Sequence, residues 1–256
     1  MANFFLLPED LIAKVLSLTS PPDVGRLTLV ASTVRSVADS DAVWETLLQK
    51  HYHGVVSQAQ LILSSKKQLY FKLCPLLISG GKKSFWLDKW SGKKCYMLAA
   101  RDLSIIWGDT PRFWKWDFLQ ESRFTEVAEL VNVCWLEIRG KIDTRMLSPD
   151  TTYAAHLVFK LTPEMYGFEH RPVEGWVGVG GRGGETRTVY LDPLGENSDQ
   201  YPKEREDGWF EIELGEFFNR SGEDGKLEVC LQELKSGMWK GGLIVEGIEI
   251  RPKENN

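Results

Sequence analysis

Glycine and tryptophan are distributed very unevenly along this chain. Residues 1–75 contain 2 of the 23 glycines and 1 of the 10 tryptophans, and residues 76–256 contain all the others. Glycine-poor sequence rich in leucine and valine favours helices, whereas sequence rich in glycine, tryptophan and turn residues favours strands. We therefore predict a helical first part and an all-β second part, with the boundary between Cys74 and Lys83.

Length, charge and cysteine usage exclude several classes of protein. A length of 256 residues allows one large domain or two modest ones, and the net charge of −5 gives no overall attraction to nucleic acid. No apolar run approaches ~18 residues, and no basic residue precedes the apolar residues 4–7, so we expect neither a membrane span nor a secretory signal. The four unpatterned cysteines suit a reducing compartment, and we expect no metal and no cofactor.

The first part carries apolar residues at helical spacing. A first helix follows Pro8, Pro21-Pro22-Asp23 ends it and starts a second, and two more helices follow, of which the last contains Trp44. About 45 residues of this kind lie near the lower limit of independent folding. We therefore expect a partner to cover a surplus apolar face. Residues 49–79 are interpreted as a helical connector.

Motifs within residues 1–48 resemble an F-box in order and spacing. They are Leu7-Pro8-Glu9-Asp10-Leu11-Ile12, Ser20-Pro21-Pro22-Asp23-Val24 and Asp39-Ser40-Asp41-Ala42-Val43-Trp44. The resemblance implies docking to the Skp adaptor and cullin of an SCF-type ubiquitin ligase. The docking surface that it implies consists of Leu7, Pro8, Ile12, Leu16, Val24, Leu27, Val30 and Trp44. Two residues depart from the F-box pattern, since Gly25 lies inside the second helix and Val34 stands where Phe is common. The alternative is that these apolar residues form only a small helical core.

Alternation of apolar and polar residues dominates the second part. It is clearest over residues 153–161, 209–214 and 227–231, and further candidate strands lie at 133–138, 188–191 and 243–250. Alternation with a period of two, separated by turn residues, predicts a two-sided antiparallel β-sandwich. Strands and helices do not alternate, so a nucleotide-binding α/β sheet is not expected.

Two segments of the β part carry candidate binding residues. The turn Gly108-Asp109-Thr110-Pro111 brings Trp107 close to Trp114 and Trp116, and indoles rimmed by charged residues suit the C–H faces and hydroxyls of sugars. The alternative is that all three indoles belong to the core. Glu233 continues the apolar face of a strand, so it needs a partner or an open strand end, unless the strand stops earlier.

The second part also resembles phloem protein 2 and the Nictaba-type lectins. The motifs include residues 97–107, Phe113-Trp114-Lys115-Trp116, residues 133–142, 207–218 and 239–252. The resemblance covers residues 94–253 and implies a jelly-roll-like sandwich that binds N-acetylglucosamine oligomers or N-glycan cores. By position it implies sugar contacts by Trp107, Trp114, Trp116 and Glu233. Trp135 and Trp209, which lie inside strand motifs, are interpreted as scaffold, and Trp239 receives no assignment.

The combined prediction is an α+β multidomain chain with an F-box at 1–48, a connector at 49–79 and a lectin-like sandwich at 80–253. The first hypothesis is a non-catalytic substrate receptor of a ubiquitin ligase that binds a glycan or glycoprotein. The alternatives are a lectin-fold protein-interaction module without a working sugar site, and a sandwich-fold carbohydrate-active enzyme. We expect the protein in the cytoplasm, with the nucleus also open. Related lectins dimerise, so a homodimer through the sandwich is a further expectation.

Overall fold

The computed structural model describes residues 7–52, 65–72, 75–88, 90–180, 184–193, 198–221 and 224–253, with only the backbone at 22, 49–52, 71 and 72. The chain forms two compact units, which are treated separately below. The first consists of Met1–Leu76 and Phe85–Lys94, and the second consists of Leu77–Ser84 and Cys95–Asn256.

The described residues of the first unit form five α-helices: α1 Glu9–Ser17, α2 Pro21–Leu27, α3 Ser32–Ala38, α4 Asp41–Tyr52 and α5 Lys66–Lys72. The second helix begins as predicted, because the Ser20 side chain accepts a hydrogen bond from the Asp23 amide and Pro21 occupies the first turn. At the start of α4, the Ser40 hydroxyl donates to the Val37 carbonyl at 2.6 Å, and the Asp41 carboxylate accepts the Lys66 amide at the start of α5.

Trp44 lies at the centre of the helical core. Its side chain is 1% exposed, its indole N–H donates to the Ala38 carbonyl at 2.6 Å, and its ring centroid lies 5.1 Å from that of Tyr70 on α5. A buried indole whose N–H finds a carbonyl combines a large apolar area with a satisfied polar atom. The helices α4 and α5 are therefore joined through this ring.

Within the ranges given above, fourteen strands follow in the order of the chain. The first seven are β1 Leu76–Ile78, β2 Lys83–Leu87, β3 Lys94–Ala99, β4 Ser104–Ile105, β5 Trp114–Asp117, β6 Val127–Leu130 and β7 Leu136–Asp143. The others are β8 Thr151–Tyr166, β9 Pro172–Val179, β10 Arg187–Tyr190, β11 Lys203–Glu204, β12 Phe210–Asn219, β13 Lys226–Glu233 and β14 Gly241–Pro252.

Antiparallel pairing arranges these strands in two sheets. The larger contains the path β3-β14-β8-β12-β11, and β14 also pairs with β6, which pairs with β5. The smaller has the order β10-β9-β13-β7-β4. Both β4 and β13 pair with β7, so the ends of these two strands lie on either side of the same strand.

Apolar faces of the two sheets pack against each other. A Cβ atom at Gly140 of β7 would lie 3.0 Å from a Leu98 methyl group on β3 and 3.2 Å from one of Ile248 on β14. One at Gly247 would lie 2.0 Å from the Leu98 carbonyl oxygen, so this position on β14 requires glycine. Burial alternates along β7 as the sequence pattern predicts, with Leu136, Ile138 and Ile142 inside.

The predicted fold class is confirmed: short N-terminal helices precede a mostly antiparallel β-sandwich. Each predicted strand overlaps a strand of the structure, although Val133 lies in an isolated bridge rather than in β7. Within the described ranges, no helix is long and apolar enough to cross a membrane.

Candidate functional site

A tight loop after β4 presents Trp107 to solvent. The indole is 42% exposed, and the residue has φ 57°, a conformation that costs a non-glycine residue free energy and is held by its surroundings. Its carbonyl accepts the Thr110 amide at 2.8 Å, which closes the predicted turn, and its ring lies 5.0 Å from that of Phe113. The turn therefore holds an exposed indole in a fixed place.

The other two predicted binding tryptophans, Trp114 and Trp116, anchor this loop from β5. The indole N–H of Trp114 donates to the Ile106 carbonyl at 3.1 Å, and the indole N–H of Trp116 donates to the Gly108 carbonyl at 2.8 Å. Trp114 is 2% exposed, so its ring offers no open face to a sugar. In this structure both residues position the backbone on either side of Trp107.

Arg101 covers the ring of Trp116. Its guanidinium carbon lies 3.6 Å from the ring centroid, and two of its N–H groups donate to the Glu126 carboxylate at 2.9 Å each. The predicted site did not include Arg101, because it lies 15 positions from Trp116 and no local pattern links the two. Asp109, at the tip of the loop, has a fully exposed carboxylate 4.0 Å from the Arg101 guanidinium.

Glu233 has a buried partner, as its place on an apolar strand face requires. Lys240, 1% exposed, lies with its Nζ atom 2.6 Å from Oε2 of Glu233. The carboxylate also accepts the amides of Lys235 and Ser236 and the Ser236 hydroxyl, at 2.8–3.0 Å. Four hydrogen bonds use its full acceptor capacity. Burial opposes ionisation, but the bonds from Lys240 and Ser236 prevail and lower its pKa to about 2. Glu233 therefore holds the 234–240 loop.

The smaller sheet brings Trp107 and Glu233 to the same end of β7. Ile105 pairs with Ile138 on one side of this strand, and Glu233 pairs with Leu136 on the other. Two strand spacings separate the flanking backbones by roughly 10 Å. The sequence-predicted residues of the sandwich thus meet in one region, in which Trp107 supplies the exposed ring.

The helical unit contains the other predicted surface. Of its eight residues, Ile12, Leu16, Val24 and Trp44 are at most 1% exposed and form the core of this unit. The other four reach the surface: Leu27 is half-buried, and Leu7, Pro8 and Val30 are exposed. The predicted docking set therefore divides into residues that build the helices and residues that a partner can contact.

Sequence reasoning missed exposed apolar residues on and near α1. Leu11 and Val15 are 47% and 41% exposed and lie one helical turn apart, Leu18 directly follows the helix at 69%, and Leu29 beyond α2 is 78% exposed. Within α1, the prediction assigned the buried positions Ile12 and Leu16 to docking, and of the exposed residues near this helix it included Leu7 and Pro8. Because Ile12 and Leu16 face the core, the exposed row Leu7, Leu11, Val15 and Leu18 is the apolar surface that remains.

Comparison with known proteins assigns both units. The model of the phloem protein 2 family matches residues 93–252, and that of the F-box domain matches residues 4–46. The F-box protein PP2-B10 of Arabidopsis thaliana is 46% identical over 256 residues, which cover 97% of this chain and 94% of the relative. The chain belongs to the phloem protein 2 family of F-box proteins. The putative F-box protein PP2-B12 of Arabidopsis thaliana is 48% identical, with 98% of this chain and 99% of the relative covered.

Solved structures similar to the phloem protein 2 domain include carbohydrate-binding modules. Caldicellulosiruptor saccharolyticus CBM27-1 in complex with mannohexaose is 12% identical, with a TM-score of 0.36, and the match covers 63% of this chain and 98% of that one. TmCBM61 in complex with beta-1,4-galactotriose is 11% identical, with a TM-score of 0.32, and the match covers 59% of this chain and 87% of that one. The strand pairing of the domain itself, rather than these similarities, establishes the sandwich.

The described part of the F-box and phloem protein 2 domains contains no cluster of three or more His, Cys, Asp or Glu that could hold a metal ion. Cys134 and Cys230 are free thiols, and burial raises the pKa of the Cys230 thiol to about 12. This thiol therefore stays protonated at neutral pH, as a structural rather than a nucleophilic cysteine does.

Proposed function

We propose that this protein is the substrate-recognition subunit of an SCF-type ubiquitin ligase. The F-box domain docks the Skp adaptor of the cullin complex, and the phloem protein 2 domain binds N-acetylglucosamine-containing glycans or glycoproteins. In this role the chain supplies proximity rather than chemistry, because it holds the target beside the ubiquitin-charged machinery. We assign no catalytic residue to it. One observation carries the proposal. The same chain combines a helical domain that has an uncovered apolar row and a sandwich that presents a fixed indole.

The exposed row on α1 supports the adaptor half of the proposal. Leu11, Val15 and Leu18 leave apolar surface in water on a small domain, and Leu29 and Val30 beyond α2 are exposed as well. Burial of such side chains contributes roughly 25 cal/mol per Å². An adaptor that offers an apolar groove therefore gains most of its binding free energy from this row.

Substitution on α1 tests the adaptor half. Val15→Asp places a charge in the row and is expected to weaken adaptor binding at least about tenfold, measured by calorimetry with the purified adaptor. Thr46→Asp is the matched control, since it adds the same charge at an exposed position of α4 in the same unit. If Val15→Asp binds like wild type, the α1 row is not the docking surface.

Trp107 and its surroundings support the glycan half. A half-exposed indole offers a flat apolar face to the C–H groups of a pyranose ring, and the exposed Asp109 carboxylate in the same loop is available to accept sugar hydroxyls. Trp114, Trp116 and Arg101 hold the loop before any ligand binds. A preformed site loses less conformational entropy on binding, so a few contacts suffice.

A glycan array and calorimetry with N-acetylglucosamine oligomers test the glycan half. Wild type is expected to bind, and Trp107→Ala is expected to abolish binding without loss of the fold, because the side chain is half-exposed. Phe118→Ala is the control, since this aromatic side chain of the same domain is 70% exposed. If wild type binds no glycan, or Trp107→Ala binds normally, the assignment of the sugar site is wrong.

A lectin-fold domain that reads a protein surface is a second candidate function. It is favoured by the saturated Glu233 carboxylate and by the Arg101 guanidinium that covers Trp116, because neither side chain is free for a sugar. On this view Trp107 is an aromatic anchor for a protein partner. Affinity purification from plant tissue, with Trp107→Ala as the comparison, distinguishes a protein ligand from a glycan ligand. Enzymatic removal of glycans abolishes binding of a glycan ligand and leaves binding of a protein ligand intact.

A further inference from the structure

Three large apolar side chains lie exposed beside the Glu233–Lys240 ion pair. Trp135, Met238 and Trp239 are 47%, 47% and 48% exposed. Trp135 immediately precedes β7, and the other two belong to the loop between β13 and β14. We call these three residues the second aromatic surface.

A backbone bridge joins the two segments that carry this surface. The Val133 amide donates to the Lys240 carbonyl at 3.0 Å, and the Lys240 amide donates back to the Val133 carbonyl at 2.8 Å. The segments therefore run side by side in opposite directions. Trp135 lies two residues after Val133, and Met238 and Trp239 directly precede Lys240.

The buried ammonium group of Lys240 fixes both segments. Its Nζ atom donates to the Cys134 carbonyl at 3.3 Å and to the Met238 carbonyl at 2.8 Å, in addition to the Glu233 carboxylate at 2.6 Å. Cys134 directly precedes Trp135, and Met238 directly precedes Trp239. One side chain thus holds the backbone next to each of the two indoles.

Stability alone does not account for this arrangement. Removing a lysine and a glutamate from water costs so much that well-packed apolar residues would be about as stable in their place. What the ion pair supplies is fixed geometry, because its hydrogen bonds hold the two segments that carry the exposed indoles. Rigid presentation of exposed aromatic rings is typical of a surface that binds a ligand.

Trp107 lies at the same end of β7 as the second aromatic surface. The Ile106 amide donates to the Glu137 carbonyl at 3.1 Å, so the chain that leads into Trp107 runs alongside the start of β7. Trp135 is two residues before Glu137 along the strand. The backbones of Trp107 and Trp135 are thereby neighbours at the same strand end.

The second aromatic surface also borders a cleft of about 310 Å³. The residues that line it include Lys240 itself, Leu234, Ser236 and, from neighbouring strands, Glu174, Thr188 and Gln232. Its volume lies at the lower end of the range of small-molecule sites. Hydroxyl, amide and carboxylate groups therefore lie beside exposed aromatic rings, which is the combination that sugars require.

We propose that Trp135, Met238 and Trp239 form a second carbohydrate-contact surface, which binds the part of a glycan that extends beyond the residue on Trp107. This inference rests on the proposed glycan-binding function. The indoles pack on the C–H faces of further sugar rings, and hydroxyls of those rings reach the polar groups of the cleft. Glu233 and Lys240 are positioning residues on this account, and neither touches the glycan.

A series of N-acetylglucosamine oligomers from one to four units, titrated into the full chain by calorimetry, tests the proposal. Wild type is expected to bind longer oligomers more tightly. Trp135→Ala and Trp239→Ala are each expected to weaken binding of the tetramer about tenfold while the monomer is unaffected, since one stacking contact is lost. Phe218→Ala, an equally exposed aromatic position on β12, is the control and is expected to change nothing.

The outcomes separate this inference from the function on which it rests. Equal tetramer affinity of wild type, Trp135→Ala and Trp239→Ala, with binding still lost in Trp107→Ala, overturns the second surface and leaves the proposed function in place. Absence of glycan binding by wild type overturns both. Thermal unfolding of each variant near the wild-type temperature confirms that a lost affinity is not a lost fold.

Discussion

The guanidinium of Arg101 stacks 3.6 Å above the centroid of the Trp116 ring, while the same guanidinium is held by both oxygens of Glu126. Trp116 in turn bonds the Gly108 carbonyl beside Trp107. A chain of three contacts thus leads from a fixed ion pair to the loop that presents the exposed indole. Residues distant from any ligand therefore determine where Trp107 lies.

Arg101→Ala is expected to weaken glycan binding while the domain stays folded. Loss of the stacking removes about 1 kcal/mol of interaction at this half-exposed site. The loop is then less ordered before binding, and ordering it on binding lowers the affinity. Calorimetry with an N-acetylglucosamine oligomer measures the effect. Arg112→Ala, an exposed arginine of the same loop, serves as the control. Wild-type affinity in Arg101→Ala would show that the loop needs no support from Arg101.

The Glu233–Lys240 pair is expected to behave non-additively. Glu233→Gln leaves an ammonium group that is 2% exposed without its counter-charge and is expected to cost about 3–5 kcal/mol of unfolding free energy. Lys240→Met combined with Glu233→Gln removes both charges and is expected to be more stable than Glu233→Gln alone. Urea unfolding of the singles and the double measures the coupling. If the losses of unfolding free energy in the two single variants simply add up in the double variant, the result would contradict a buried ion pair.

Stability of the sandwich is expected to fall between about pH 6.5 and pH 4 because of His156. Burial on β8, followed by the nearby Arg251 guanidinium, lowers the pKa of this side chain from 6.5 to about 4, although Glu211 and Glu249 oppose the shift. The unfolded chain therefore binds more protons than the folded chain in this range, and acidification favours unfolding. Urea unfolding at several pH values measures the slope.

His156→Gln is the comparison for this pH dependence, since the amide is close in size and does not titrate. The variant is expected to show a shallower loss of stability between about pH 6.5 and pH 4. Parallel slopes for wild type and variant would mean that the folded-state pKa of His156 is not lowered.

Gly25→Ala is expected to stabilise the F-box domain by about 0.5–1 kcal/mol. The residue lies inside α2, has no left-handed φ, and a Cβ atom there would meet nothing within 4 Å. Gly247→Ala is the opposite case, because its Cβ would collide with the Leu98 carbonyl, and it is expected to disrupt the sandwich. Thermal unfolding of the two variants checks both expectations. No gain in Gly25→Ala would indicate that the glycine has a role the helix does not show.

The sequence predicted the elements well because their signals are local. Helical spacing after Pro8 and alternation around Leu157 each lie within a window of about ten residues, and the structure forms α1 and β8 there. The need of Glu233 for a partner followed from its neighbours on one strand face. The scaffold interpretation of Trp209 also agrees with the structure, in which this residue is 1% exposed beneath Lys160.

Side-chain exposure was harder to predict, because it depends on contacts between distant segments. Trp114 and Trp135 both lie in aromatic strand motifs, yet one is buried beneath the Trp107 loop and the other is exposed. Lys240 is the partner of Glu233, and its buried position includes a backbone bridge to Val133, which is about 100 residues away in the sequence. On α1, periodicity shows two apolar rows without showing which of them the other helices cover.

Retention of the purified Skp adaptor on a resin of immobilised N-acetylglucosamine oligomers tests the central claim most directly. The adaptor is expected to stay on the resin only when the full chain is present. Val15→Asp is expected to release the adaptor while the chain itself stays bound, and Trp107→Ala is expected to release both. Failure of the wild-type chain to retain the adaptor on the resin would contradict a receptor that joins a glycan to a ubiquitin ligase.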